Sequence, residues 1–285
     1  VTASVMARPA GAAARTTRRA AVLQVGALVL LGVLVLIALL PLDPVANDLS
    51  HRFAGPSAAH PLGTDQLGRD VLARLAVGAR LSVGFTLVAL ALCAGIGTVL
   101  GVLAAWCGRA VGQLFQRTID VLVAIPAVLI GLVVVAASGG APGVWSLLVA
   151  IVVAGWTPFA RLTYQLVVRE RAREYVEGAV AVGAGPLRIA FRHVLPNLAR
   201  PLLSHLCLRF ANVLLTVAGL SFLGLGPQPP TPEWGAMLAD GRQFLFNAPQ
   251  LVLLPALAVV GTALLVTALG RGLERRWTTG PTGQF

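Results

Sequence analysis

Apolar and polar positions fall in long blocks along this chain rather than at the short periods of a soluble domain. From Ala20 to Leu40 the side chains form a nearly unbroken apolar run of 21 residues, enough to cross a hydrocarbon core of about 30 Å as a helix. Five further runs predict spans at Leu81–Trp106, Thr118–Ala137, Val144–Phe159, Leu202–Leu225 and Leu251–Gly270. The fourth is short for a span, and continuing it towards Leu166 takes Arg161 to the interface by snorkelling. The expectation is an all-α integral membrane protein with six transmembrane helices and both termini on one side. Residues 1–19 form a basic tail, 20–40 the first helix, 41–80 an outer segment, 81–270 a five-helix core and 271–285 a second tail. The 20–40 run exceeds a signal-peptide core, and Pro41-Leu42-Asp43-Pro44 makes a poor cleavage site, so the helix is expected to be retained.

The polar intervals carry patterns of their own. Residues 63–82, GTDQLGRDVLARLAVGARLS, place Leu67, Val71, Leu72, Leu75 and Ala79 on one face, with Asp65, Arg69, Asp70 and Arg74 elsewhere. That predicts an amphipathic helix at the membrane interface with Asp65 as its N-cap. Residues 174–196, EYVEGAVAVGAGPLRIAFRHVLP, predict a two-helix knob. A short helix from about Arg169 to Val182 repeats Tyr175, Ala179, Val180 and Val182 at near-helical spacing. Gly183-Ala184-Gly185-Pro186 ends it and starts a second helix bearing Phe191, Val194 and Leu195, which Pro196 stops. Arg169, Arg171, Arg173, Arg188 and Arg192 ring the knob.

Composition agrees with a membrane protein: 57% of residues are hydrophobic and 12% charged, with mean hydropathy +0.83, whereas a soluble domain carries about twice that charged fraction. All 22 basic residues are Arg. Without Lys the chain has neither a Walker A lysine for ATP nor a Schiff-base amine. The net charge of +11 does not point to nucleic acid, because its distribution marks topology. The first tail, the turn at 107–120, the interval 161–200 and the last tail together hold 16 Arg against 5 acids, whereas 41–80 and 226–250 hold 5 Arg against 6 acids. Both termini and the knob are therefore expected in the cytoplasm. Cys93, Cys107 and Cys207 show no paired spacing, and His51, His60, His193 and His205 no zinc pattern, so no disulfide or metal site is predicted.

Inside the spans, Arg209 and Asn212 stand one turn apart. An arginine at a helix centre costs at least about 2.5–3.5 kcal/mol, so it either faces a wet path or subunit interface or snorkels to the cytoplasmic surface. Every acid lies at or outside a span end, which disfavours an ion-coupled secondary transporter, and no matching pair of interrupted helices suggests inverted halves. The spans hold no Ser/His, paired-Asp or metal constellation for an intramembrane enzyme, so no catalytic residue is assigned. Gly219 to Gly226 is rich in small residues, as close helix packing in lipid requires. Residues 227–243 form a proline-rich outer loop, with Pro229-Pro230-Thr231-Pro232 expected to be stiff and extended.

Glu177-Gly178-Ala179, then Gly183, then Leu195-Pro196 resemble the cytoplasmic loop by which permease subunits of ATP-binding-cassette importers dock onto their ATPases. Gly178 stands where that motif usually has Ala, and His193 where it often has Ile. The 63–82 stretch and FLGLG-PQPPTPEWG-AML resemble the branch that imports dipeptides, oligopeptides and nickel, and residues of about 62–270 are similar to the second of its two permeases. Gly270-Arg271-Gly272-Leu273-Glu274-Arg275 departs, with Arg where that branch is expected to have Asp. The resemblance implies a coupling loop over 167–200 in which Glu174, Tyr175, Glu177, Gly178, Ala179, Gly183, Ala184, Arg188, Leu195 and Pro196 meet an ATPase. It also implies an outer contact through Pro230, Thr231, Glu233 and Trp234 with an extracytoplasmic solute-binding protein. The implied assembly is a homologous permease and two ATPase subunits in a bacterial plasma membrane, with ATP and Mg held by the ATPases and no cofactor by this chain. The substrate it implies is a dipeptide or oligopeptide, with nickel chelate or haem as alternatives.

Overall fold

The computed structural model describes Gly32 and residues 42–278; the 1–19 tail, the predicted 20–40 span apart from Gly32, and residues 279–285 lie outside the described residues. Among the described residues the chain is helical, without a named strand. Its helices are α1 (Val71–Trp106), α2 (Arg109–Val123), α3 (Ala127–Ala137), α4 (Val144–Gly155), α5 (Thr157–Arg171), α6 (Glu174–Ala181), α7 (Pro186–Ile189), α8 (Leu195–Phe222), α9 (Trp234–Gly241) and α10 (Gln250–Thr278). Four stretches are long and apolar enough to cross a membrane: Val71–Trp106, Val144–Arg171, Pro186–Phe222 and Gln250–Gly272, with α2 and α3 a fifth if counted as one bent span. These correspond to the second to sixth predicted spans.

Local chemistry moves several boundaries. The predicted interfacial helix is not a separate element: it is the start of α1, whose 36 residues extend about 54 Å at 1.5 Å per residue, well beyond a bilayer core. Asp70, not Asp65, caps it, accepting from the Ala73 amide at 2.7 Å. A turn from Asp65 to Gly68 intervenes, closed by Gly68 N–H to the Asp65 carbonyl at 3.1 Å. The predicted span Thr118–Ala137 is broken, with α2 and α3 at 87°. Pro126 causes the break, because it lacks an N–H and pushes Ile125 out of the helical region. The fourth span runs on to Arg171, and Pro158 sits harmlessly in the first turn of α5. Arg161 does not merely snorkel; it pairs with Asp120 of α2.

Helix α1 is the axis of the bundle, packed on α5, α8 and α4. Its close approach to α5 depends on two glycines one turn apart. A Cβ at Gly97 would lie 2.5 Å from the Trp156 carbonyl oxygen, and one at Gly101 2.6 Å from that of Ala160. Small residues let two backbones meet where lipid supplies no hydrophobic drive between helices. Leu90, Cys93, Leu147, Phe159, Leu214 and Leu220 fill the core beside this seam. In the 219–226 stretch, Ser221 takes the contact with Gly235 alongside Ala218 just before it, whereas Gly219 faces outward.

The end of the bundle away from α6 is closed by residues 48–70 and α9. Asp65, Arg69 and Arg74 are all buried, with Arg69 Nε 2.7 Å and Arg74 Nε 3.5 Å from Asp65 Oδ2. Arg74 also reaches Asp240 of the α9 segment at 3.8 Å. Two expected outer contacts are overturned here. Glu233 is buried, its carboxylate accepting from Ser82 Oγ at 2.9 Å and from the Ala236 amide at 3.0 Å. Trp234 is buried too, donating from Nε1 to the Leu75 carbonyl at 3.1 Å. They clamp α9 to α1 and present nothing outward. Pro230 is exposed and Thr231 half-buried, but the segment turns rather than extends, with Thr231 N–H on the Gln228 carbonyl at 3.2 Å.

Candidate functional site

At the opposite end, α6, α7 and the start of α8 build the knob. Helix α6 is shorter than expected, because Arg169 to Arg171 belong to α5 and the chain breaks at Ala172-Arg173. Glu174 and Glu177 lie in its first turn, where carboxylates suit the positive end of the helix dipole. Gly183, at φ +86°, ends it. Gly183 N–H bonds the Val180 carbonyl at 2.9 Å and Ala184 N–H that of Ala179 at 3.0 Å, a Schellman closure that needs the left-handed region. Pro186 then opens α7.

Pro196 does not stop the second helix. It sits in the first turn of α8, which continues α7 through one wide π-type turn, Ala190–Val194. There Leu195 N–H reaches back to the Ala190 carbonyl, and this widening accommodates a residue that has no N–H to give. Leu195 is half-buried and Pro196 exposed.

The underside of the knob is anchored. Val176, Ile189, Val194 and Leu198 pack with Val167 of α5 and Ala105 of α1, and Ala184 leans on the same cluster. Arg171 donates to the Ala105 carbonyl at 2.7 Å and lies 4.8 Å over the Trp106 ring. A polar network fastens the rim. Tyr175 donates to Glu170 Oε1 at 2.5 Å; Asn197 Nδ2 donates to the same oxygen at 3.1 Å, to Tyr175 Oη at 2.8 Å and to the His193 carbonyl at 2.9 Å. Arg173 Nε holds the other oxygen of Glu170 at 3.1 Å. Burial, and then the hydrogen bond to Glu170, push the Tyr175 phenol above its ordinary value. Glu170 and Asn197 carry no signal in the sequence; 13 and 14 residues separate them from Gly183, and only the fold joins them.

The tip is different. Val182, Leu187 and Phe191 are 86%, 73% and 69% exposed, flanked by exposed Arg188 and Arg192. Glu177 and Gly178 also face outward, and a Cβ on Gly178 would meet nothing within 4 Å. Thus the predicted residues divide: Tyr175 and Ala184 fix the knob to the bundle, Gly183 shapes it, Ala179 is half-buried, and Glu174, Glu177, Gly178 and Arg188 are available on its surface.

Beside the knob a cavity of about 840 Å³ opens between α5 and α8. Arg169, Arg173 and Arg200 stand at its mouth, with Ser204, His205 and Leu208 further in. His205 meets the Phe159 ring edge-on at 5.1 Å. Arg209 lies one turn beyond His205 on α8. Asn212 is exposed on the same side of α8.

Residues 97–279 match the family model described as binding-protein-dependent transport system inner membrane component. Over 227 residues the chain is 41% identical to a dipeptide transport system permease protein, DppC, of Alkalihalophilus pseudofirmus, covering 79% of this chain and 73% of that one. It is 38% identical to a glutathione transport system permease protein, GsiD, of Pectobacterium atrosepticum, covering 77% and 72% of the two chains. It is 36% identical to the nickel transport system permease protein NikC of Escherichia coli K12, covering 87% and 91%. Among solved structures, an inward-facing form of the MetNI methionine ABC transporter superposes with TM-score 0.57 at 17% identity, covering 71% of this chain and 95% of that one.

Proposed function

This chain belongs to the family of binding-protein-dependent transport system inner membrane components, and on that premise we propose how it works. It is a permease subunit of an ATP-binding-cassette importer. Its partner in the membrane is a homologous permease, and the two enclose a path for dipeptides and oligopeptides. A solute-binding protein delivers substrate at the end closed by α9, with Pro230 and Thr231 at the contact. Two ATPase subunits dock at the knob end, where both termini lie in the cytoplasm. ATP and magnesium are held by those ATPases; this chain binds no cofactor and makes or breaks no bonds. Arg209 and Asn212 face the path or the permease interface.

The exposed apolar tip on an anchored knob carries this reading. Burying side chains such as Leu187, Phe191 and Val182 contributes about 1.5–3 kcal/mol each when complete, and within this chain they stay in solvent. A groove on a partner satisfies them, with Arg188 and Arg192 at its rim. Because Val176 and Ile189 pack on α5 and α1, a push on the tip is transmitted to the spans as a rigid-body tilt. Purification of the membrane-embedded chain with its neighbours tests this. The ATPases copurify with wild type, and Phe191→Glu loses them while the permease stays in the membrane. Undiminished ATPase recovery with Phe191→Glu would overturn the docking assignment.

A nickel complex is the second reading, favoured by the similarity to the nickel permease across 91% of that protein's length. Uptake of labelled dipeptide and of labelled nickel by the same reconstituted complex separates the two.

A further inference from the structure

Helix α8 carries a polar stripe over its second half. His205, Arg209, Asn212 and Thr216 recur every three or four residues, which keeps them within about 60° of one another on a helix with 3.6 residues per turn. The stripe starts at His205, which lines the 840 Å³ cavity with Leu208, immediately before Arg209. Arg209 lies seven residues past Leu202, where the apolar run of α8 begins, about 10 Å into the span. The polar space nearest to it along α8 is the cavity that His205 and Leu208 line.

Among the described residues Arg209 forms no ion pair with a carboxylate; Glu170 and Glu274 are the acids that line the cavity next to it. All 11 acids lie between Asp43 and Glu274, so none falls in the segments outside the described residues. Asp120 pairs with Arg161. Arg161 follows Phe159 by two residues, about 200° round α5 from the ring that meets His205. Glu170, at the cavity mouth, is eleven residues beyond Phe159, about 16 Å along α5. Arg209 Nε and His205 Nε2 are both buried atoms without a hydrogen-bond partner among the described residues. A guanidinium inside an apolar span without an ion pair among the described residues calls for an anion from outside the chain.

We infer that Arg209, with His205 one turn nearer the knob, forms a contact for acidic substrate side chains inside the translocation path, so that anionic substrates pass more readily than cationic ones. This rests on the importer reading above and adds a charge preference set by the permease itself. The planar guanidinium suits a carboxylate through paired hydrogen bonds. The contact is transient, since the stripe continues past Arg209 in both directions and substrate has polar positions to move on to.

The test uses the whole importer, with partner permease, ATPases and saturating binding protein, in proteoliposomes. Uptake of Ala-Asp is compared with that of Ala-Lys. Wild type favours Ala-Asp; Arg209→Gln lowers the Ala-Asp to Ala-Lys ratio by about tenfold, as loss of a charge-assisted contact implies, and Arg209→Lys retains most of it. Arg209→Gln lowering both substrates equally, or leaving the ratio unchanged, overturns the assignment. Loss of the second permease from the purified complex on Arg209→Gln also overturns it, by making Arg209 an intersubunit ion pair. A wild-type importer that transports neither dipeptide overturns the peptide reading and this inference together; an active wild type with an unmoved ratio overturns this inference alone.

Discussion

Gly183 offers a test of whether the knob acts through its shape. Its φ of +86° is left-handed, and a Cβ built there meets nothing within 4 Å, so substitution brings conformational cost without collision. Holding an ordinary L-residue in that region costs roughly 1–2 kcal/mol, and more for a β-branched one. The Schellman bonds from Gly183 and Ala184 are too few to resist that cost, so Gly183→Val leaves the two halves of the knob misaligned in most molecules. A penalty of 1–2 kcal/mol reduces the docking-competent fraction, and with it the apparent ATPase affinity, by about 5- to 30-fold. Asn tolerates the left-handed region, so Gly183→Asn is expected to weaken association only about twofold. Titrating purified ATPase onto the permease in nanodiscs measures both, and uptake in proteoliposomes is expected to follow the same order. The anchoring cluster beneath is untouched, so membrane levels of the variants match wild type. Equal affinities for Gly183→Val and wild type, or a Gly183→Asn defect as large as that of Gly183→Val, would refute the role given to backbone conformation.

Gly97→Val forces a side chain onto the Trp156 backbone, whose carbonyl oxygen would lie 2.5 Å from the new Cβ; a loss of about 3 kcal/mol, read as early thermal aggregation in detergent, is expected. In a background lacking Cys93, Cys107 and Cys207, a cysteine at exposed Gln228 should react with an impermeant thiol reagent from outside intact cells, and one at Gly185 should not; the reverse would invert the topology. Tyr164 and Tyr175 are the chain's two tyrosines, and the Tyr175 phenol is held above its ordinary value of 10.0. Because that value is raised, the contribution of neutral Tyr175 to knob stability is complete below pH 10 and disappears as pH rises through the raised value. Phenolate absorbance should therefore show a late-titrating component that Tyr175→Phe removes. Gly178→Ala should leave transport intact and stabilise α6 by about 0.5–1 kcal/mol, since its Cβ enters open space; a loss of ATPase binding would show that the tip needs glycine there.

Spacing along the chain was enough for those features that depend on spacing alone. Run length set four of the described crossings, and a fifth if α2 and α3 are one bent span, because a bilayer of fixed thickness demands about 20 apolar residues whatever packs beside them. The Gly183 turn and the Pro186 start were legible because only backbone freedom and a missing N–H are at stake. Where each side chain went was settled by the tertiary structure. Glu233 and Trp234 lie in a polar, proline-rich loop and suggest an outer contact, yet a buried carboxylate needs donors, and Ser82 and the Ala236 amide supply them from α1 and α9. Asp65 carries the signature of a cap, but two buried arginines claim it. Pro196 looks like a stop, and the wide turn before it keeps α8 continuous with α7. Glu170, Tyr175 and Asn197 are separated in sequence and meet only once α5, α6 and α8 converge. For Arg209 the sequence left two readings open, and the cavity that reaches His205 and Leu208 just before it is formed only by the packing of the helices. Periodicity records which face of an element avoids water; which atoms satisfy a buried charge depends on partners brought from elsewhere in the chain.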